Sequence, residues 1–313
     1  MASRELEKFV ESIRSAGSFE GDLVTLRKMT ARTPAYPQPD DIDWVPVDAA
    51  GVPAEWVVPR DCVPGRAIVY LHGGGYATGT IGSARSLSSH LARATRSRVL
   101  AVDYRLAPEH PFPAAVDDAV AAYRFALSTG DVTVALCGDS SGGGLALGTA
   151  IALRGLGEPA PATVVCLSPW TDLTLSGTSL HANRDSDPMV SAKSLGLMAD
   201  AYLGGSDPRS PMASPLFADL VGLPPILVQV GTGELLLDDA TRFAERAEAA
   251  GVDVTLELWP DVFHVWHSFA DLLPEARDAI ARIGGFVDRQ LGDPSSVDPA
   301  YPDADDQRPV GAP

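Results

Sequence analysis

Cys137-Gly138-Asp139-Ser140-Ser141-Gly142-Gly143-Gly144 stands between an apolar run, Val132 to Leu136, and a helix-like run, Leu145 to Arg154. Strand, Gly-x-Ser-x-Gly and helix, in that order, form the setting in which such a turn presents a nucleophile. The turn is too tight for side chains larger than hydrogen at its flanks, hence Gly138 and Gly142. It lifts Ser140 to the lip of a sheet, and the helix behind it offers unpaired N–H groups and a positive dipole end. A glycine-rich turn with a solvated serine, or a phosphate-binding loop, competes with this reading. The phosphate-loop pattern needs Gly-Lys-Ser/Thr at its end, and no lysine follows here. The rest of the chain has to decide.

Outward from this turn, short apolar runs alternate with helix-like runs. Strands are expected at 43–47, 55–58, 67–71, 99–104, 132–137, 163–167, 225–230 and 254–258. Helices are expected at 114–127, after the serine turn, near 191–203, at 239–250 and at 273–291, with one or two amphipathic helices within 2–30. Ala49-Ala50-Gly51 reads as a hairpin turn between the first two strands, and 33–41, rich in Pro and Asp, reads as a connector. Residues 169–222 are irregular, an insertion between strands. The last stretch, 292–313, holds five Pro and five Asp without periodicity and reads as a disordered tail. Alternation of this kind predicts an α/β fold with a mostly parallel sheet flanked by helices. Ligands in such folds sit at the carboxyl ends of strands. His72 to Gly75, Ser140, Glu234 and His264 all lie just past predicted strands and so share one rim.

Composition narrows the function classes. The 313 residues suffice for one large α/β domain with an insertion. A formal charge of −17 argues against nucleic acid or an anionic membrane as partner. No run approaches the ~18 apolar residues of a membrane span. The N-terminus lacks an apolar signal core, and the three cysteines, Cys62, Cys137 and Cys166, cannot all pair, so a cytoplasmic location is expected.

A serine at its ordinary pKa needs a base within hydrogen-bond reach and an acid to hold that base. Of six histidines, His264 follows the last strand on a loop able to reach the turn. His267, close by, is the rival and reads as a packing residue. Among Glu234, Asp238 and Asp239, Glu234 lies nearest its strand end, whereas the two aspartates suit the first turn of the next helix. Glu234 is preferred as the acid, with Asp238 the alternative. Oxyanion donors are expected from the Ser141 N–H and from the loop of Gly73, Gly74 and Gly75, where the backbone can approach closely. His72 and Asp139 read as bracing groups, as do Asp103-Tyr104-Arg105 and Glu109. No metal or organic cofactor is required.

His72-Gly73-Gly74-Gly75 together with Gly138-Asp139-Ser140-Ser141-Gly142-Gly143 resembles the hormone-sensitive-lipase-like esterases of the α/β-hydrolase fold. Tyr104 to Ala114, Ser214-Pro215-Leu216 and Leu223-Pro224-Pro225 look like further signatures of that family, and the resemblance spans roughly 40–290. Two departures stand out. Ser141 occupies a position that is usually Ala, and Glu234-Leu235-Leu236-Leu237-Asp238 replaces an Asp-Pro-Leu-x-Asp pattern, which places the acid role on Glu234. The Glu-Leu-Leu form and the Phe263 to His267 segment look similar to the bacterial branch of lactone hydrolases and carboxylesterases. The resemblance also implies a helical cap from 1–40 and from about 172–215 on a catalytic domain of 41–291, and a possible homodimer. Tyr76, Met189, Met198, Tyr202 and Phe217 are candidates for lining its pocket. The expected function is a serine carboxylesterase acting on a small or medium ester or lactone. An acyltransferase or dehydratase-type enzyme on the same three residues is an alternative. A non-catalytic small-ligand receptor is another, but it would have lost the base, and His264 is present.

Overall fold

The computed structural model describes residues 2–16, 21–31, 36–130 and 133–292. Among them, strands β1 (Ile42–Asp48), β2 (Pro53–Pro59), β3 (Arg66–Leu71), β4 (Arg98–Val102), β5 (Thr133–Asp139), β6 (Val164–Leu167), β7 (Ile226–Gly231) and β8 (Val254–Trp259) form one sheet in the order β1-β2-β4-β3-β5-β6-β7-β8. β2 runs antiparallel to both β1 and β4; every later pairing, from β3 with β4 to β7 with β8, is parallel. The fold therefore has the mostly parallel, helix-flanked sheet that the alternation predicted, in the α/β-hydrolase arrangement that the resemblance implied. The expected tail at 292–313 lies, from 293 onward, outside the described residues, as does part of the connector.

The helices are α1 (Arg4–Ala16), α2 (Leu23–Ala31), α3 (Ile81–Thr95), α4 (Ala114–Ser128), α5 (Ser141–Leu156), α6 (Ser179–Ala182), α7 (Ala192–Leu203), α8 (Leu237–Ala249) and α9 (Pro274–Leu291). Central strands are buried on both faces. In β3, Ala67, Val69 and Leu71 point into a core shared with Tyr123 of α4 and Leu145 and Leu147 of α5. The alternate residues Ile68 and Tyr70 join Leu87 and Leu91 of α3 and Ile283 and Val287 of α9. The period of two along the strand thus sorts one apolar run into two cores, the requirement of a covered parallel sheet. Cys137 and Cys166 are small buried residues of these strands.

Helix α3 was not expected. Its sequence carries Gly82 and four serines, which weaken the helical pattern. Two features compensate. Thr80 and Ser83 form a reciprocal capping box, and Ala84, Leu87 and Leu91 line up on the face that meets the sheet. The helix returns the chain from β3 to β4 in parallel. The loop ahead of it carries Gly73 to Gly75.

Candidate active site

Ser140 follows the last residue of β5 and caps α5 with φ 54° and ψ −121°, a conformation that L-residues rarely adopt. Burial of the whole turn maintains it. The flanking glycines are required by contact: a Cβ on Gly138 would lie 2.2 Å from the Gly142 carbonyl oxygen, and one on Gly142 would lie 1.9 Å from that of Leu71. The chain can make this turn only where those positions carry no side chain.

Three strand ends bring three side chains into line. His264 Nε2 lies 2.9 Å from Ser140 Oγ, and His264 Nδ1 lies 2.9 Å from Glu234 Oε2. All three are buried, Glu234 completely. The other Glu234 oxygen accepts from the Gly231 N–H at 2.6 Å and from Ser168 Oγ at 2.8 Å. Burial alone would depress the His264 pKa. The Glu234 carboxylate on Nδ1, with Asp187 and Asp139 farther off, more than offsets this and holds it above its ordinary value.

The rivals are engaged elsewhere. Asp238 Oδ2 accepts from Thr178 N at 2.6 Å, Thr178 Oγ1 at 2.7 Å and Ser179 N at 3.1 Å, at the start of α6. Asp239 Oδ1 accepts from the N–H groups of Thr171 and Asp172, each at 2.9 Å, and burial lifts its pKa to about 8. His267 sits in a short 3₁₀ turn with Nε2 2.9 Å from the Gln229 side-chain oxygen, and burial depresses its pKa to about 3.

Beside the serine, the main chain of 73–75 turns back on itself. The Gly73 N–H donates to Asp139 Oδ1 at 2.9 Å, so its expected role as an oxyanion donor meets a competing use. Among the described residues no hydrogen bond takes the N–H of Gly74, Gly75 or Ser141. Asp139 also accepts from the Tyr70 hydroxyl, and burial raises its pKa. Tyr104 Oη donates to the His72 carbonyl at 2.7 Å and stacks on the His72 ring, while Arg105 pairs with Asp118 and Glu109 with Arg27. The hydroxyl of Ser141 accepts the Tyr76 N–H at 3.2 Å, so it ties the serine turn to the glycine loop.

A cavity of about 290 Å³ opens over Ser140 and His264. Its apolar wall comes from Met29 of α2, from Met189, Leu195 and Met198 of the insertion, and from Phe269. Met189 and Met198 were expected there. Tyr76 and Tyr202 instead stack on each other at 3.7 Å in the core, and Phe217 lies under Arg209. Asn183 and Asp187, which no motif singled out, brace the Glu234 loop. Asn183 Nδ2 donates to the Glu234 carbonyl at 2.8 Å, and Asp187 Oδ2 accepts the Leu235 N–H at 3.1 Å. Their signal was hidden in an insertion without periodicity.

A strained serine turn at the centre of a mostly parallel sheet, with a histidine and a carboxylate arriving from later strand ends, defines an α/β hydrolase. The family model described as the alpha/beta hydrolase fold matches residues 68–268. The chain is 49% identical over 242 residues to an acetyl-hydrolase of Streptomyces hygroscopicus, covering 77% of this chain and 81% of that one. It is 38% identical over 255 residues to an esterase of Acinetobacter venetianus, covering 80% and 84%. A solved esterase from the bacterial hormone-sensitive lipase family superposes with a TM-score of 0.89 at 48% identity, over 93% of this chain and all of that one. The chain belongs to the α/β-hydrolase family, in its hormone-sensitive-lipase-like group.

Proposed function

We propose that the protein is a serine carboxylesterase in which Ser140 is the nucleophile, His264 the general base and acid, and Glu234 the group that orients His264. The observation that carries this is the unbroken line from Glu234 Oε2 through His264 to Ser140 Oγ, 2.9 Å at each step. The Ser140 oxygen attacks the ester carbonyl carbon as His264 Nε2 takes its proton. The former carbonyl oxygen, now negative, meets the N–H groups of Ser141, Gly74 and Gly75. Each such donor is worth about 3–4 kcal/mol where it has been removed from other enzymes. The imidazolium returns the proton to the leaving alcohol as the C–O bond breaks. A water then repeats the sequence on the acyl-enzyme, and the acid leaves with Ser140 restored.

The segment 1–40 and the insertion of about 172–215 form, on this reading, a cap over the catalytic domain 41–291. Support comes from the cavity wall, to which α2 and the insertion contribute Met29, Met189 and Met198. The substrate is a small or medium uncharged ester or lactone, since among the described residues no Lys or Arg lines the cavity. Among the described residues no helix is long and apolar enough to cross a membrane. Cys137 and Cys166, buried in the core as unbridged thiols, support a cytoplasmic site of action. Self-association as a homodimer is expected and is measured by sedimentation velocity.

The test is turnover of p-nitrophenyl esters of increasing acyl length by the native protein and by Ser140→Ala. Native turnover that favours short acyl groups and vanishes in the variant is expected. Turnover unchanged by Ser140→Ala would remove the proposal.

A further inference from the structure

One side chain next to the reacting line belongs to none of the motifs. Ser168 follows directly on β6, is completely buried and has φ 48°. Its backbone N–H donates to the Gln229 carbonyl at 2.7 Å, which continues the pairing with β7. Its hydroxyl donates to Glu234 Oε1 at 2.8 Å and accepts the N–H of Val265 at 3.2 Å. Val265 directly follows His264 and is itself held at φ 53°.

A serine hydroxyl has one proton to give and lone pairs to receive. Here the proton is committed to the acid and a lone pair to the loop that carries the base. The result is a closed ring: Ser168 Oγ, the Glu234 carboxyl, the His264 ring, the main chain from 264 to 265, and back to Ser168 Oγ. With the Gly231 N–H on the same Oε1, the carboxylate can neither rotate nor withdraw without breaking two hydrogen bonds. The other oxygen is thereby aimed at Nδ1.

We propose that Ser168 is a positioning residue of the reaction, whose hydroxyl locks the Glu234 carboxylate and the His264 loop together so that the imidazole stays in line with Ser140. The inference rests on the roles of Ser140, His264 and Glu234 given under Proposed function. A residue that served only the backbone would be present for its left-handed φ, which glycine adopts more readily. The two roles therefore separate in Ser168→Gly, which suits the backbone and deletes the hydroxyl.

The experiment measures kcat and KM on p-nitrophenyl butyrate, with thermal melts, for Ser168→Gly and Ser168→Ala. Both are also made in a Glu234→Ala background. Hydrogen-bond partners of metal ligands typically matter by about 10- to 100-fold, and a loss of that order in kcat is expected for this partner of the acid, with KM changed less than about twofold and the Ser168→Gly protein folded. Added to Glu234→Ala, Ser168→Gly should change kcat by less than about threefold, because the residue acts through the carboxylate. Native kcat in Ser168→Gly, or a full repeat of its loss in the Glu234→Ala background, would overturn the proposal. Ser140→Ala and Glu234→Ala serve as controls. Native turnover in either brings down the underlying triad, whereas a silent Ser168→Gly beside two inactive controls sinks only the role of Ser168.

Discussion

Replacing Glu234 by glutamine changes one atom yet should nearly stop the reaction. Glu234 Oε1 accepts from two donors, Gly231 N and Ser168 Oγ, while Oε2 faces His264 Nδ1. In Glu234→Gln the amide oxygen must take the place of Oε1, because an NH₂ there would confront two N–H or O–H donors. The NH₂ then points at Nδ1, which has to become the acceptor. That places the ring proton on Nε2, facing Ser140 Oγ, where it cannot receive the nucleophile's proton. A wrong tautomer of this kind costs about 10⁴ in a well-studied triad, and we expect a loss of about 10³ to 10⁴ in kcat, or roughly 4–5 kcal/mol of barrier. The shape and three hydrogen bonds survive, so the melting temperature should move by only a few degrees. Asp238→Asn weakens only the contacts to Thr178 and Ser179 at the start of α6 and should leave kcat within about threefold, with roughly 1 kcal/mol lost in stability. Steady-state hydrolysis of p-nitrophenyl butyrate, beside thermal melts of each variant, provides both numbers. A Glu234→Gln enzyme that keeps a tenth of native kcat, or an Asp238→Asn enzyme as impaired as Glu234→Gln, would refute this reasoning.

Other expectations concern pH and the glycine loop. As the proposed base, His264 must be neutral, and Glu234, Asp187 and Asp139 outweigh burial and hold its pKa above the usual value of about 6.5, so the acid limb of kcat/KM should lie above that pH. Asp187→Asn removes one of those charges and should move the limb downward; an unmoved limb would contradict the electrostatic account. His267 binds no proton in the fold until about pH 3, while the unfolded chain takes one near pH 6.5, so it contributes stability that is lost as pH falls through that window. His267→Gln should therefore flatten the acid-side fall in melting temperature and leave the shape of the rate profile unchanged, as paired melts and rate profiles would establish. A Cβ on Gly74, at φ 120°, would lie 2.3 Å from the Thr78 carbonyl oxygen, so Gly74→Ala should distort the donor loop and lower kcat by about 100-fold or more, read by steady-state kinetics.

Much of this molecule was legible along the chain because its signals are local. Apolar runs of strand length mark the central strands, and burial on both faces explains why they do not alternate, whereas the edge strands β1 and β8 mix polar and apolar residues and are only partly buried. The serine turn is legible because its glycines answer to a steric demand within five residues. His264 and Glu234 could be selected since they lie on the loops just past the ends of β8 and β7. Helix α3 was not legible, because Gly82 and four serines interrupt its apolar pattern and the partners of its buried face lie on the sheet and on α9.

What the linear order left open was which groups are already taken. Gly73, Gly74 and Gly75 are equivalent as residues; only the folded chain commits the N–H of Gly73 to Asp139. Asp238 and Glu234 differ little as acids, yet one caps α6 and the other meets His264. Ser168, Asn183 and Asp187 carry no motif, because their partners stand between 48 and 97 residues away along the chain. Residue types and spacing determine which side chains arrive at the rim of the sheet. Hydrogen bonds between distant segments, satisfied only once water has been excluded, decide what each one does there.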